Sequence, residues 1–451
     1  MIDLNRLQDM VVNGHIETVI IAAADMQGKL FGKRVTADYF LESAQKGIHA
    51  CAVNLVWDVS LDFQDNYEFC SLDNGLHDMV IKPDMSTLRL YPWCEKTVLV
   101  LGDLQNKDQT EISVAPRTIL KRQIQRAKDF GYKVNAASEL EFYLFKETED
   151  TLREKNYHQL SPLFPYPVDY SINRLTRDDR FLSKITRHLT TAGIPVESIK
   201  GEWGKGQYEI NLKYSDALRM ADHTAVYKNA VKELAAMDGL TATFMAKPVT
   251  DDSGSSGHTH ISLWDLQSGK NLFYDPLQEH GISNTGRYFL GGVMELASEF
   301  MLFYAPYINS YKRLIAGMGA PNTLTWGVDN RTTSFRSDGK EKSMRLENRV
   351  PGADANFYLV IAACIASGLY GIENKIEPPA CTTTNAYNLS NIGSLPLNLM
   401  EAVERLDHSE RVRALLGNDV VDHYLTAAKM EIQGYLTEVT DWERRKYFEF
   451  I

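Results

Sequence analysis

The chain has 451 residues, of which 44% are hydrophobic and 24% are charged, and its formal net charge is −11. This length exceeds what one hydrophobic core usually serves, so we expect two domains. The acidic balance and the dispersed Lys and Arg residues form no basic stripe, which argues against a nucleic-acid partner.

Cysteine usage and apolar segments indicate a cytoplasmic protein without a membrane span. The five cysteines are scattered and show no CxxC spacing, which favours reduced thiols. The N-terminus lacks the basic and apolar regions of a signal peptide. The most apolar segment, 357–372, is shorter than the roughly 20 residues of a membrane helix and predicts a buried core helix instead.

The first elements in the chain predict a small β-rich unit. Residues 17–24 are β-branched and apolar, and they run into a turn at 25–28. The unit ends near 98–103, after which 115–130 has a helical pattern with Gly131 as its C-cap. We therefore predict two domains, 1–108 and 109–451.

The second domain mixes strands with helices, such as those predicted over 216–237 and 397–437. This order predicts an α+β fold. No GxxxxGK[ST] motif occurs in the sequence, so a nucleotide would have to bind without a P-loop.

Several predicted strands carry ionisable residues where apolar ones are expected. They contain Glu139-Leu140-Glu141, Glu202 with Glu209, His258-Thr259-His260, and Arg345-Leu346-Glu347-Asn348-Arg349. Side chains two positions apart on a strand point to the same face, so each strand offers a charged face.

These faces predict metal and phosphate chemistry if they share one cavity. Five carboxylates would repel one another strongly there unless cations neutralised them. Glutamates with a histidine are the ligand set of Mg²⁺ or Mn²⁺, and arginines bind phosphates bidentately. Alone, each pattern has a simpler explanation: a solvated strand face, a zinc or surface histidine pair, or an exposed salt-bridged ladder. Their joint occurrence favours the metal site.

Eight stretches resemble the glutamine synthetase family in order and spacing, over nearly the whole chain. They are DMQGKLFGKRV (25–35), DMVIKPDMST (78–87), SELEFYLF (138–145), GEWGKGQYEI (201–210), KPVTDDSGSSGHTHISL (247–263), NSYKRL (309–314), NRTTSFR (330–336) and KSMRLENR (342–349). The resemblance implies an N-terminal β-grasp domain and a C-terminal catalytic domain, whose antiparallel sheet is lined by charged residues and surrounded by helices. It also implies rings, commonly a dodecamer of two hexamers, with active sites between neighbouring subunits.

The resemblance also implies roles for individual residues. One metal would be held by Glu141, Glu202 and Glu209, and a second by Glu139, His258 and Glu347. The residues matching the ATP site are Glu197, Tyr214, His260, Ser262, Arg336, Lys342 and Arg345. Those matching the glutamate site are Gly254, Arg313 and Arg349. Arg331 matches the arginine that stabilises the transferred phosphoryl group. Asp58 would be a neighbouring subunit's carboxylate at the nucleophile site, and Tyr170 would line that site.

The sequence departs from the family pattern at two positions near the substrates. Ammonia-using members carry a glutamate on a flap over the ammonium site, and Gly319 stands there in this chain. Ser253 replaces an asparagine that contacts glutamate. Without the flap carboxylate an ammonium ion loses one anionic partner, while Gly319 leaves room for a larger amine. Trp57 and Met318 would form an apolar wall of that amine pocket.

We therefore predict an ATP-dependent ligase that forms a γ-glutamyl amide from L-glutamate and an organic amine through γ-glutamyl phosphate. It resembles the γ-glutamylpolyamine and γ-glutamylanilide synthetase-like branch. Three alternatives remain open at this stage. One is a true glutamine synthetase, in which Asp58, Tyr170 and Glu202 bind ammonium. The others are a ring-forming structural or regulatory homologue without catalysis and a phosphotransferase that leaves a stable phosphorylated product. The full set of synthetase motifs argues against the phosphotransferase.

Overall fold

The computed structural model describes residues 2–63, 65–315, 320–389 and 392–451. Within these ranges the chain forms two β-sheets and the helices that pack on them. The mixture of helices and sheets confirms the predicted α+β fold class. The predicted amine-pocket residues Met318 and Gly319 lie outside the described residues.

The N-terminal sheet has six strands in the order β2-β1-β6-β4-β3, and β5 also pairs with β6. These strands are β1 (Thr18–Ala24), β2 (Leu30–Thr36), β3 (Ile48–Cys51), β4 (Asp78–Pro83), β5 (Arg89–Leu90) and β6 (Thr97–Gln105). The turn predicted at 25–28 joins β1 to β2. There the Asp25 carboxylate accepts from the Lys29 backbone N–H at 2.8 Å, and Gly28 adopts a φ of 80°.

The second sheet has nine strands and supports the charged side chains. Its order is β13-β14-β15-β12-β7-β9-β8, with β10 and β11 also paired to β7. The strands are β7 (Tyr132–Phe145), β8 (Val196–Gly201), β9 (Gln207–Leu212), β10 (Ser215–Asp216), β11 (Thr241–Thr243), β12 (Gly257–Asp265), β13 (Trp326–Val328), β14 (Phe335–Asp338) and β15 (Arg345–Asn348). All its pairs are antiparallel except β13 with β14, which is parallel.

Helices occupy the connections and the C-terminal part of the chain. They are α1 (Leu4–Val12), α2 (Ala37–Glu42), α3 (Pro116–Asp129), α4 (Glu149–Glu154), α5 (Ile172–Leu175), α6 (Asp179–Thr191), α7 (Ala217–Met237), α8 (Asn284–Glu295), α9 (Met301–Tyr304), α10 (Ile308–Tyr311), α11 (Phe357–Asn374), α12 (Leu399–Asp407), α13 (Glu410–Leu416), α14 (Asn418–Thr437) and α15 (Asp441–Tyr447). The helical stretch predicted over 397–437 is three helices. Ser409 caps α13, and Gly417 at φ 101° separates α13 from α14.

Helix α11 is the apolar segment of the sequence, and it is a core element. By length and composition it could span a membrane, but 78% of it is buried inside the protein. Its small residues allow close packing, because a Cβ added at Gly371 would lie 2.5 Å from the Cα of Gly292 on α8. The two helices therefore cross with their backbones in contact.

A buried ion network ties the N-terminal sheet to the helices behind the second sheet. Arg117 on α3 donates to Asp84 at 2.7 Å, to Asp103 at 2.5 Å and to Asp222 on α7 at 3.0 Å. The Arg117 side chain is almost fully buried, so the three carboxylates compensate its charge.

Candidate active site

The register of the second sheet brings the charged residues together on one face. Directly opposite residues of an antiparallel pair point the same way. Glu141 lies opposite Glu209, and Glu139 lies opposite His258. His260 in turn lies opposite Glu347. Three neighbouring rows of ionisable side chains therefore cross β7, β9, β12 and β15.

The first cluster consists of Glu141, Glu202 and Glu209. One carboxylate oxygen from each lies within 4.8 Å of the others. Burial and the neighbouring Glu202 raise the pKa of Glu141 to about 7. Burial and the neighbouring Glu141 raise the pKa of Glu209 to about 9. These raised pKa values mean that the described protein groups do not compensate the charge that the carboxylates would carry when ionised.

The second cluster consists of Glu139, His258, His260 and Glu347. His258 Nδ1 lies 3.7 Å from a Glu139 oxygen and 3.5 Å from a Glu347 oxygen. The predicted ligand set of Glu139, His258 and Glu347 is therefore together in space. His260, which we assigned to the ATP site, also joins this cluster, because its Nε2 lies 3.0 Å from Glu139.

The electrostatics of the second cluster favour ionised carboxylates and a neutral imidazole. Burial opposes ionisation of Glu139, yet hydrogen bonds from His258 and His260 hold its pKa below the usual range. Burial likewise opposes ionisation of Glu347, but His258 and Arg349 lower its pKa to about 2. Burial and the nearby Arg349 lower the pKa of His258 to about 4. These protonation states are the ones that bind metal ions.

Both clusters fit divalent cations bound mainly by oxygen. The ligand atoms are glutamate oxygens with imidazole nitrogens, as hard divalent cations prefer. The Nε2 of His258 is buried and makes no hydrogen bond among the described residues. The Oδ1 of Asn211, opposite Glu139 on β9, is equally buried and without a partner. Such orphaned acceptors are expected beside a cation site.

A cavity of about 360 Å³ lies beside the second cluster and contains most of the predicted ATP residues. Glu139 borders it, and Tyr214 presents a half-exposed ring to it. The predicted ATP residues in its lining are Glu197, Tyr214, His260, Ser262, Lys342 and Arg345. Arg336 is not in this lining, and instead donates to Glu347 at 2.8 Å.

Two buried arginines form the predicted glutamate site. Arg349 donates to Glu347 at 2.6 Å, and Arg313 donates to the carbonyl of Val350. The Nε atoms of both arginines are buried without a hydrogen-bond partner among the described residues. Burial lowers the pKa of Arg313. Gly254 lies against Arg313, since an added Cβ would come within 2.4 Å of the Arg313 Cγ.

Among the described residues, the remaining predicted ones are not members of the two clusters. Trp57 and Asp58 line a separate cavity of about 980 Å³ that α14 closes on the other side. Arg331 is exposed and lines a third cavity with Asp329 and Thr382. Tyr170 is 67% exposed, and its ring centroid lies 4.8 Å from the Nζ of Lys200, which contacts Glu202 of the first cluster.

Sequence reasoning missed three residues of the first cluster's surroundings. Gln207 donates from Nε2 to Glu141 at 3.1 Å and to the Gly254 carbonyl at 2.9 Å. Ser256 donates to Glu141 from its backbone N–H and its hydroxyl. Lys200 contacts Glu202. Strand alternation back from Glu209 would have placed Gln207 on the charged face. Ser256 precedes its strand, and Lys200 could be placed beside the cluster only once the pairing of β8 with β9 was known.

The chain is similar to known proteins over nearly its whole length. A sequence model described as "Glutamine synthetase, catalytic domain" matches residues 113–447. The chain is 40% identical over 447 residues to gamma-glutamylethanolamide synthetase GlnA4 of Streptomyces coelicolor, covering 99% of this chain and 96% of that protein. It is also 40% identical over 450 residues to a glutamate–isopropylamine ligase of a Pseudomonas species, covering 99% and 98%.

Two further similarities extend over the whole chain. Identity to the glutamine synthetase of Thermotoga maritima is 32% over 461 residues, covering 98% of this chain and 99% of that protein. A solved structure described as "Apo GmaS without ligand" superposes with a TM-score of 0.86 at 31% identity, and all of both chains is covered. The predicted resemblance is confirmed: the chain belongs to the glutamine synthetase family, whose members use ATP and divalent metal ions.

Proposed function

We propose that this protein is an ATP-dependent ligase that joins L-glutamate to an organic amine through γ-glutamyl phosphate. The observation that carries the proposal is the position of the two acidic clusters on one sheet face. The second cluster borders the cavity with the predicted ATP residues. Arg349 pairs with Glu347 of that cluster, and the buried Nε of Arg313 has no hydrogen-bond partner among the described residues. Nucleotide, metal ions and an anionic acyl substrate would therefore meet on this face.

The proposed reaction has two steps. In the first, an oxygen of the γ-carboxylate attacks the γ-phosphorus of ATP, and ADP leaves. In the second, the neutral amine nitrogen attacks the acyl carbon, phosphate leaves, and the attacking nitrogen loses a proton to give the neutral amide. The first step needs charge neutralisation and alignment, whereas the second needs a pocket that holds the amine next to the acyl carbon.

Specific residues would serve the first step. Divalent cations, Mg²⁺ or Mn²⁺, held by Glu141, Glu202 and Glu209 and by Glu139, His258 and Glu347 would supply positive charge opposite the phosphates and the γ-carboxylate. Tyr214 would stack on the adenine, and Lys342 and Arg345 would bind phosphate oxygens. Arg313 and Arg349 would bind the glutamate carboxylates, and Arg331 would stabilise the transferring phosphoryl group.

The acceptor pocket would take residues from two subunits. In one chain Asp58 lines a cavity with α14 rather than the clusters, so its proposed role requires a neighbouring subunit. This supports a ring-shaped homo-oligomer, for which we propose a dodecamer of two hexamers in the cytoplasm. The division into domains 1–108 and 109–451 is part of the same proposal. Tyr170, Trp57, Met318 and Gly319 would complete the amine pocket.

Two observations favour an organic amine over ammonia. Gly319 stands where ammonia-using relatives carry the flap glutamate. Relatives named for ethanolamide and isopropylamine products are 40% identical, against 32% for the Thermotoga glutamine synthetase. A non-catalytic role is disfavoured, because it would give no reason to keep both acidic clusters with the phosphate arginines.

The test is phosphate release by the purified protein with ATP, L-glutamate and Mg²⁺ or Mn²⁺ against a panel of amines. The panel contains ammonium chloride, ethanolamine, isopropylamine, a polyamine and aniline, and mass spectrometry identifies each product. We expect a γ-glutamyl amide from at least one organic amine and little glutamine. Glutamine as the main product would assign a glutamine synthetase, and ATP turnover without any amide would contradict ligase activity.

A further inference from the structure

Lys200 lies in the acidic row of the sheet, although the proposed function gives it no role. Strand β8 pairs with β9 so that Lys200 is directly opposite Glu209, which is itself opposite Glu141. Its Nζ donates to Glu202 and lies 3.9 Å from a Glu209 oxygen. The side chain is mostly buried. The fold therefore places a protein cation against the first cluster.

The same ammonium also faces an aromatic ring. Lys200 Nζ lies 4.8 Å from the ring centroid of Tyr170, within the range of a cation–π contact. Tyr170 adopts a left-handed φ of 52°. A carboxylate on one side and an aromatic face on the other make a binding position for a small cation, and in this chain Lys200 fills it.

We propose that Lys200 determines acceptor specificity by neutralising Glu202 and occupying this cation position. The inference rests on the proposed function, in which Glu202 belongs to the first metal cluster and Tyr170 borders the amine pocket. An incoming ammonium ion would have to compete with the Lys200 side chain for the Glu202 carboxylate and the Tyr170 ring. The sequence also lacks the flap glutamate, because residue 319 is glycine. Two anionic partners that could attract ammonium are thus removed, one by ion pairing and one by substitution.

The removal of these anionic partners weakens the binding of ammonia more than the binding of an alkylamine. Ammonium binds through its charge and hydrogen bonds alone, so the neutralised carboxylate removes a large share of its affinity. An alkylamine also buries carbon, and each buried methylene strengthens binding by about fourfold. The pocket therefore favours acceptors with an apolar part.

The test compares kcat/KM for ammonium chloride with kcat/KM for isopropylamine. Lys200→Met and Lys200→Gln should raise the ratio in favour of ammonia about tenfold, the size of one charge-assisted hydrogen bond. Lys200→Arg keeps the charge and should leave the ratio low. Lys205→Met removes an exposed lysine of the following turn and serves as the matched control. Melting temperatures verify that each variant folds.

A second measurement does not depend on turnover. Mn²⁺ titration of the ATP-free protein by calorimetry should give about tenfold tighter binding in Lys200→Met, because Glu202 loses its internal counter-ion. An unchanged Kd, or an unchanged acceptor ratio in both neutral variants, would overturn the role of Lys200 while leaving the ligase intact. Failure of the wild type to form any amide would refute the proposed function and the acceptor preference together.

Discussion

Replacement of Gly254 by alanine gives a sharp test of the glutamate site. A Cβ at this position would lie 2.4 Å from the Arg313 Cγ and 2.8 Å from the carbonyl oxygen of Ala246. Neither contact can be relieved by a small side-chain movement, because Cγ lies close to the backbone of Arg313 and the other atom is a backbone oxygen. Gly254 has no positive φ, so the new methyl group acts through space and not through backbone strain.

The magnitude follows from the displacement of Arg313. If the guanidinium loses one charge-assisted hydrogen bond to a glutamate carboxylate, binding weakens by about 1.5–3 kcal/mol, which is roughly 10- to 150-fold. The lining of the proposed ATP cavity contains neither Gly254 nor Arg313. We therefore expect the KM for glutamate to rise by one to two orders of magnitude and the KM for ATP to change by less than about twofold.

Steady-state kinetics with each substrate varied in turn provides the assay. Gly434→Ala is the matched control, because a Cβ there has no neighbour within 4 Å. Equal effects on both KM values would mean that the variant perturbs the fold instead of the glutamate site. An unchanged KM for glutamate in Gly254→Ala would refute the assignment of Arg313.

Three other predictions concern the flap, the buried ion network and a buried histidine. Gly319→Glu should raise ammonia use relative to isopropylamine, and an unchanged product ratio in competition would remove the flap argument. Arg117→Met removes the buried cation shared by three carboxylates, of which Asp103 keeps Lys121, and should lower the free energy of unfolding by about 3–5 kcal/mol in chemical denaturation, whereas the exposed Arg153→Met should cost less than about 0.5 kcal/mol. Burial lowers the pKa of His423 to about 4, below its unfolded value of 6.5, so the unfolded chain binds the extra proton first. Stability should therefore fall as the pH drops from 6.5 to 4, by at most about 3 kcal/mol from this group, and His423→Gln should flatten the melting-temperature profile in that window.

The two acidic clusters were accessible from the sequence because strand alternation is a local rule. Glu139 and Glu141 had to share a face, as did His258 and His260, whichever strands lay beside them. The helix boundaries at Pro116 and Met237 followed from equally local capping and periodicity.

Features that depend on strand register or on distant packing could not be predicted. His260 joins the second cluster because β12 aligns it with Glu347, and Lys200 faces Glu209 because a β-bulge near residue 197 sets the alignment of β8. Asp58 lines a cavity with α14, a contact between residues more than 350 positions apart. None of these contacts produces a periodic pattern of residues in the sequence from which it could be predicted.

The acidic clusters lie mostly on paired strands, whereas Tyr170 and Asp58 lie in connections between elements. The sheet is held by its hydrogen-bond ladder and by the core behind it, but a connection can change in length or composition without disturbing that ladder. A new acceptor can therefore be acquired by exchanging loops, with the phosphorylating machinery left intact. Directed evolution confined to the segments around residues 57–63 and 166–171 should reach new amide products more often than mutagenesis spread across the strands.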